Sequence, residues 1–141
     1  MFVKDVMSTN PVSFASAETA AAAARLLSRH NIGALPVVQG KRLVGIVTDR
    51  DLVLRCVAAG ASAEETPVAR VMSQRLVTVS PEDSLQTAAE KMSAEQVRRL
   101  PVTEGRELVG MLSLGDLAKL PDYSMETAAC LCDVCENVSD R

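Results

Sequence analysis

Two kinds of hydrophobic spacing alternate along this chain. Apolar residues recur at i, i+3, i+4 and i+7 over Ala20, Ala23, Ala24 and Leu27, and again over Leu85, Ala88, Ala89 and Met92, which predicts two amphipathic helices. Each stretch is followed by a pair of short, unbroken apolar runs. Ala34 to Val38 and Leu43 to Val47 flank Gln39-Gly40-Lys41-Arg42, while Leu100 to Thr103 and Leu108 to Leu112 flank Glu104-Gly105-Arg106-Glu107. An apolar run, a glycine turn and a second apolar run predict a β-hairpin. Brief apolar stretches around Val12 to Phe14 and Val77 to Val79 predict a strand ahead of each helix. A second helix is expected after each hairpin, carrying Leu52, Val53 and Cys56 in one place and Leu117, Ala118 and Leu120 in the other. For the helix starts, Ser80-Pro81-Glu82-Asp83 offers an N-cap, a proline at the first helical position and an acidic third residue; Ser16 and Thr19 are the weaker counterparts.

The order β-α-β-β-α is thus written twice. Sliding the chain by 65 positions, the distance from Ser8 to Ser73, superposes Val6-Met7-Ser8 on Val71-Met72-Ser73, Leu35-Pro36-Val37 on Leu100-Pro101-Val102, and Leu43-Val44-Gly45 on Leu108-Val109-Gly110, without a gap. Self-similarity at a fixed period marks a duplicated structural unit. The expected layout is a first repeat over residues 1–59, a linker over 60–67, a second repeat over 68–121 and a helical tail over 122–141. A copy of about 60 residues is marginal alone. The expectation is therefore a mixed α/β (α+β) fold, with two pseudo-twofold-related repeats packed through their sheets and two equivalent clefts.

One heptapeptide recurs with its chemistry intact. Gly45-Ile46-Val47-Thr48-Asp49-Arg50-Asp51 returns as Gly110-Met111-Leu112-Ser113-Leu114-Gly115-Asp116: glycine, two apolar residues, a hydroxyl, any two, aspartate. It sits where a strand should give way to a helix. Thr48 to Asp51 and Ser113 to Asp116 have capping-box spacing, in which hydroxyl and carboxylate each accept from the other's backbone N–H. That alone would explain a single copy. Strand-to-helix corners are also where ligands sit.

Taken together, the Leu-Pro-Val triplets at 35 to 37 and 100 to 102, the Leu-Val-Gly strands and the paired corners resemble the CBS domain in its tandem form, the Bateman module, over about residues 3 to 120. The resemblance implies a stand-alone, non-enzymatic regulatory module. It would bind an adenosine-containing ligand (AMP, ADP, ATP or S-adenosylmethionine) in inter-repeat clefts, need no cofactor, form homodimers, and signal to an unidentified effector protein. In the family each cleft is shared, so Met111, Ser113, Asp116 and Arg99 would work with Asn10, Val12 and Ile32. Ile46, Thr48 and Asp51 would likewise work with Arg75, Val77, Val97 and Arg98. Arg98-Arg99 stand where the first repeat has Gly33-Ala34, and Arg50 stands where the second has Gly115, so cations for a phosphate are distributed differently at the two corners. The alternatives are a ligand-independent dimerising scaffold whose corners only cap helices, and a metal or redox sensor in the tail.

Composition narrows the field further. The 141 residues suffice for one compact domain that buries roughly 70% of its unfolded surface, and with 48% hydrophobic and 23% charged residues the chain reads as globular. A net charge of −3 provides no basic field, and 2% aromatics with no Trp provide no stacking platform, which argues against nucleic-acid binding. Met1 to Ser8, with Lys4 and Asp5, lacks the apolar core of a secretory signal, and a soluble cytoplasmic protein with no membrane partner is expected. The single histidine, His30, fits a cation at a helix C-terminus and has no catalytic partners at triad spacing. Cys130-x-Cys132-x-x-Cys135 falls outside the family pattern. Three thiolates could share zinc, an iron-sulfur cluster or a reversible disulfide; alternatively Met125, Ala128, Cys132 and Cys135 form one face of a packed helix. The packing reading is the simpler, because a structural zinc site normally shows four ligands.

Overall fold

The computed structural model describes residues 1–120; Cys130, Cys132 and Cys135, and the helix expected around them, lie outside the described residues. The described residues divide into two compact units, one made of Val12–Leu76 and the other of Met1–Pro11 together with residues 77–120.

In the unit Val12–Leu76 the hairpin pairs β3 (Ala34–Gln39) antiparallel with β4 (Arg42–Thr48). β2 (Phe14–Ala15) lies parallel to β3, with Phe14 opposite Val37. β1 (Ser8–Thr9) belongs to the other unit. Ile46 turns its backbone away from β3 and exchanges both hydrogen bonds with Ser73, at 3.0 and 2.8 Å. Helix α1 (Ala20–His30) starts where Thr19 accepts from the Ala22 N–H at 3.1 Å. Two first-turn N–H groups that a helix cannot satisfy internally find acceptors in the linker, Ala20 on the Thr66 carbonyl at 2.8 Å and Ala21 on the Ala63 carbonyl at 2.9 Å. The core joins Ala23 and Leu27 of α1 to Leu35, Val37 and Val47 of the hairpin and to Val68, Val71 and Met72. Each buried Leu or Val there contributes roughly 1.5–3 kcal/mol.

The other unit repeats this plan. Its hairpin is β5 (Arg99–Glu104) with β6 (Glu107–Ser113), β1 pairs antiparallel with β6 so that Ser8 faces Met111, and Val79 bridges Val102 in parallel. Helix α3 (Leu85–Glu95) buries Leu85, Ala88, Ala89 and Met92. The Val3 side chain is fully buried in the same cluster, and its N–H donates to the Asp83 carbonyl at 2.8 Å. Packing is therefore offset from the sequence period. The chain's first residues complete the unit built on the second hairpin, and Val68 to Ser73 complete the unit built on the first.

Four expectations are corrected. Ser80-Pro81-Glu82-Asp83 is a turn, not a helix start: Asp83 accepts from the Ser80 N–H at 2.9 Å, and the Pro81 and Asp83 carbonyls receive the N–H groups of Lys4 and Val3. Helix α3 begins four residues later under its own cap, Ser84, which accepts from the Thr87 N–H at 3.1 Å. In α1 it is Ala21 that is buried while Ala24 is exposed, because Ala24 faces away from the hairpin. The first strands are shorter than their apolar runs, two residues at Phe14–Ala15 and a single bridge at Val79, since Val12 lies exposed ahead of the pairing and Val77 precedes it. After β4, Leu52 and Cys56 are buried but Val53 is exposed, and after β6 Leu117 is buried but Ala118 is exposed.

The glycine of each Leu-Val-Gly strand is explained by a close crossing. A Cβ on Gly45 would lie 2.9 Å from the Ser73 carbonyl oxygen and 2.5 Å from Met72 Sδ; one on Gly110 would lie 2.8 Å from both the Ser8 oxygen and Met7 Sδ. A methionine tip can move, but the carbonyl is held by the bridge that makes the fold. Gly45→Ala and Gly110→Ala should each lower unfolding stability by about 1–3 kcal/mol in urea denaturation. Gly115→Ala, whose added Cβ would meet only Ser113 Oγ at 3.6 Å, should be neutral or stabilising. Wild-type stability of Gly45→Ala would refute the crossing as the reason for glycine.

Candidate functional site

At the first corner β4 ends on Thr48, in extended conformation, and α2 (Asp49–Leu52) begins, continuing as a π-helical turn over Val53–Val57. Thr48 Oγ1 accepts from the Asp51 N–H and Asp51 Oδ2 accepts from the Thr48 N–H, both at 3.0 Å. The remaining first-turn N–H groups are also taken: Asp49 donates to the Gly33 carbonyl at 3.0 Å, and Arg50 N donates to Asp49 Oδ1 at 2.8 Å. Asp49 Oδ2 lies 3.5 Å from where a Gly33 Cβ would be. A second carboxylate thus occupies the space over Gly33. Asp51 keeps Oδ1 for a further partner, and Arg55 Nε approaches it to 3.9 Å.

The second corner has the same skeleton and different charges. Ser113 Oγ accepts from the Asp116 N–H at 3.0 Å, Asp116 Oδ2 accepts from the Ser113 N–H at 2.9 Å, and α4 (Leu114–Ala118) follows. Leu114 N donates to the Arg98 carbonyl at 2.8 Å, so the start of the arginine pair is fixed to the corner through its backbone. The Leu114 side chain, standing where the first corner has Asp49, is buried in the core. Arg98 and Arg99 are exposed. The Gly115 N–H and Asp116 Oδ1 have no partner among the described residues. Hydroxyl, open amide and half-used carboxylate therefore meet at this corner, with the backbones of Arg98 and Arg99 paired beside it, a set suited to an anion next to a diol.

The other residues singled out in the sequence divide between the units. Val12, Ile32, Ile46 and Arg75 belong with the first corner's unit; Asn10, Val77, Val97 and Met111 belong with the second's. Ile32 packs against one core, Val77 and Val97 against the other, whereas Val12 and Arg75 are exposed. Asn10 is exposed with φ +50°, in the left-handed region that asparagine tolerates better than most residues. Sequence reasoning passed over Asp49 and Arg55. The signal was present in the register itself, where Asp49 matches Leu114 and Arg55 matches Leu120. Among the described residues no three side chains of metal-binding type are grouped, and Cys56 is a buried free thiol.

Both corners fall inside matches to one family model, the CBS domain, over residues 3–57 and 68–123. The chain belongs to the CBS-domain family. CBS domain-containing protein YhcV of Bacillus subtilis is 45% identical over 116 residues, covering 82% of each chain. Hypoxic response protein 1 of Mycobacterium tuberculosis is 33% identical over 124 residues, 86% of this chain and 87% of that one. A crystal structure of Hypoxic Response Protein I with two coordinated zinc ions matches with a TM-score of 0.78 at 32% identity, over 85% of this chain and 98% of that one. The CBS domain pair of protein MJ0100, solved in complex with 5′-methylthioadenosine and S-adenosyl-L-methionine, matches with a TM-score of 0.74 at 28% identity, over 88% of this chain and 98% of that one. The CBS pair is a regulatory module and not an enzyme.

The CBS corner caps its helix without help from any ligand, and that role can be measured separately. Asp116→Ala should cost about 1 kcal/mol in chemical denaturation, because the Ser113 N–H loses its acceptor. Asp116→Asn, whose amide oxygen can still accept, should recover most of that loss. Equal destabilisation by the two substitutions would show that the acceptor is not what Asp116 contributes.

Proposed function

We propose that this CBS pair binds an adenosine-containing ligand at its corners and passes the occupancy on to a partner protein. The carrying observation is that Asp116 Oδ1 and the Gly115 N–H have no partner among the described residues, at a corner that also holds the Ser113 hydroxyl and to which the backbones of Arg98 and Arg99 are paired. A ribose diol donates to Asp116, while a phosphate or carboxylate accepts from Ser113, Gly115 and a guanidinium. Met111 and Asn10 of the same unit would supply the apolar and amide contacts to the base. The relative crystallised with 5′-methylthioadenosine and S-adenosyl-L-methionine supports the ligand class.

The first corner takes the same diol through Asp51 with Thr48, Ile46 and Arg75. It is the poorer anion site of the two. Its first-turn N–H groups are all bonded and Asp49 adds a negative charge, so the phosphates of AMP, ADP or ATP favour the second corner, and the first suits a ligand of lower negative charge.

Calorimetry and thermal shift with AMP, ADP, ATP and S-adenosylmethionine test this. A ligand of the native state must raise stability by mass action. Asp116→Asn should remove binding of the phosphorylated ligands. Arg98→Gln with Arg99→Gln should weaken AMP and ATP about tenfold or more, the worth of a charged hydrogen bond, and leave S-adenosylmethionine within about twofold. If none of the four raises stability at millimolar concentration, the corners serve capping alone and the scaffold reading takes over.

A further inference from the structure

Arg55 joins two groups of its unit. Its Nε lies 3.9 Å from Asp51 Oδ1, and its Nη1 donates to the carbonyl oxygens of Met72 at 3.0 Å and Val71 at 3.3 Å. The Met72 carbonyl and the Ser73 N–H belong to one planar peptide group, and that N–H donates to the Ile46 carbonyl at 2.8 Å. The peptide is therefore held from both ends, by a guanidinium on its oxygen and by β4 on its nitrogen. Hydrogen bonds in such a chain polarise one another, so loosening the first weakens the second. The chain runs from the Asp51 carboxylate to Ile46, with Arg75 two residues past Ser73. The second repeat lacks the connection: Leu120 replaces Arg55 and packs against the core.

We propose that Arg55 is a positioning residue that couples the Asp51 carboxylate to the Met72–Ser73 peptide, so that a diol donating to Asp51 frees the guanidinium and loosens the bridge between Ser73 and Ile46. One corner then reports its occupancy through the backbone and the other does not. The diol's identity rests on the adenosine reading above; the coupling itself does not. Arg55 is half exposed, with 52% of its side chain accessible against 14% for Asp51. An ion pair in that setting adds little stability of its own.

Amide hydrogen exchange at Ser73, followed by NMR, separates this from a plain surface clamp. Without ligand, Asp51→Asn keeps an acceptor for the Thr48 N–H but removes the charge that Arg55 faces. Asp51→Asn and Arg55→Leu should each speed Ser73 exchange by on the order of two- to fivefold, and the double variant should be no faster than Arg55→Leu. Acceleration by Arg55→Leu with a wild-type rate in Asp51→Asn would overturn the coupling, as would no acceleration by either. With saturating S-adenosylmethionine or AMP, Ser73 exchange should rise in the wild type and stay unmoved in Arg55→Leu. Calorimetric binding at the first corner that leaves Ser73 unchanged in the wild type would also overturn it. If neither ligand binds, the adenosine reading fails and the ligand-free comparison alone decides the coupling.

Discussion

Everything near each corner depends on one steric constraint, the passage of a backbone carbonyl over a glycine. Ser73 O over Gly45 and Ser8 O over Gly110 approach so closely that no side chain fits between. The crossing aligns residues 73 and 8 with Ile46 and Met111, two residues before the hydroxyls that cap the next helix. The apolar residues of the crossing segments, Val68 and Val71 in one unit and Val3 in the other, drop into the cores. A loss of contact at the crossing would therefore be felt in the strand, the core and the helix cap that follows together.

On that shared skeleton the two corners differ in charge and in packing: Leu114 and Leu120 join the core where the first corner has Asp49 and Arg55. The capping atoms superimpose in role: hydroxyl to aspartate N–H, carboxylate to hydroxyl-residue N–H. Asp49 against Leu114, Arg50 against Gly115 and Arg55 against Leu120 change charge, open amides and connections to neighbouring backbone. Capping is a local matter of about 1 kcal/mol, so these positions could change sign and size while the corner kept its shape.

The period of 65, set by Ser8 and Ser73, the two hairpins and the reciprocal caps at Thr48 with Asp51 and Ser113 with Asp116 were legible in the sequence. They depend on local spacing. Other features were not, because they depend on residues far apart in the chain. Ser80 to Asp83 carries a strong helix-start pattern, but its carbonyls are engaged by Val3 and Lys4, and a nonlocal partner decided between turn and helix. Ala21 replaces Ala24 on the buried face because the exact rotation of α1 is set by the hairpin and by Val68 to Met72 beneath it. Arg55 looked like an ordinary polar position on a helix; only the folded carbonyls of Val71 and Met72 give it partners.

The offset between packed unit and sequence period also sets an order of events during synthesis. Residues 12 to 76 are contiguous, so their unit has every part it needs once Leu76 has emerged from the ribosome. The companion unit must wait, because Met1–Pro11 are made before the contiguous unit and their partners after it: Lys4 and Glu82, which pair at 3.0 Å, are 78 positions apart. Closing that long loop costs entropy that local contacts do not, and until it closes Val3 lacks the core that buries it. The duplicated halves, alike in their final form, cannot be alike in how they are reached.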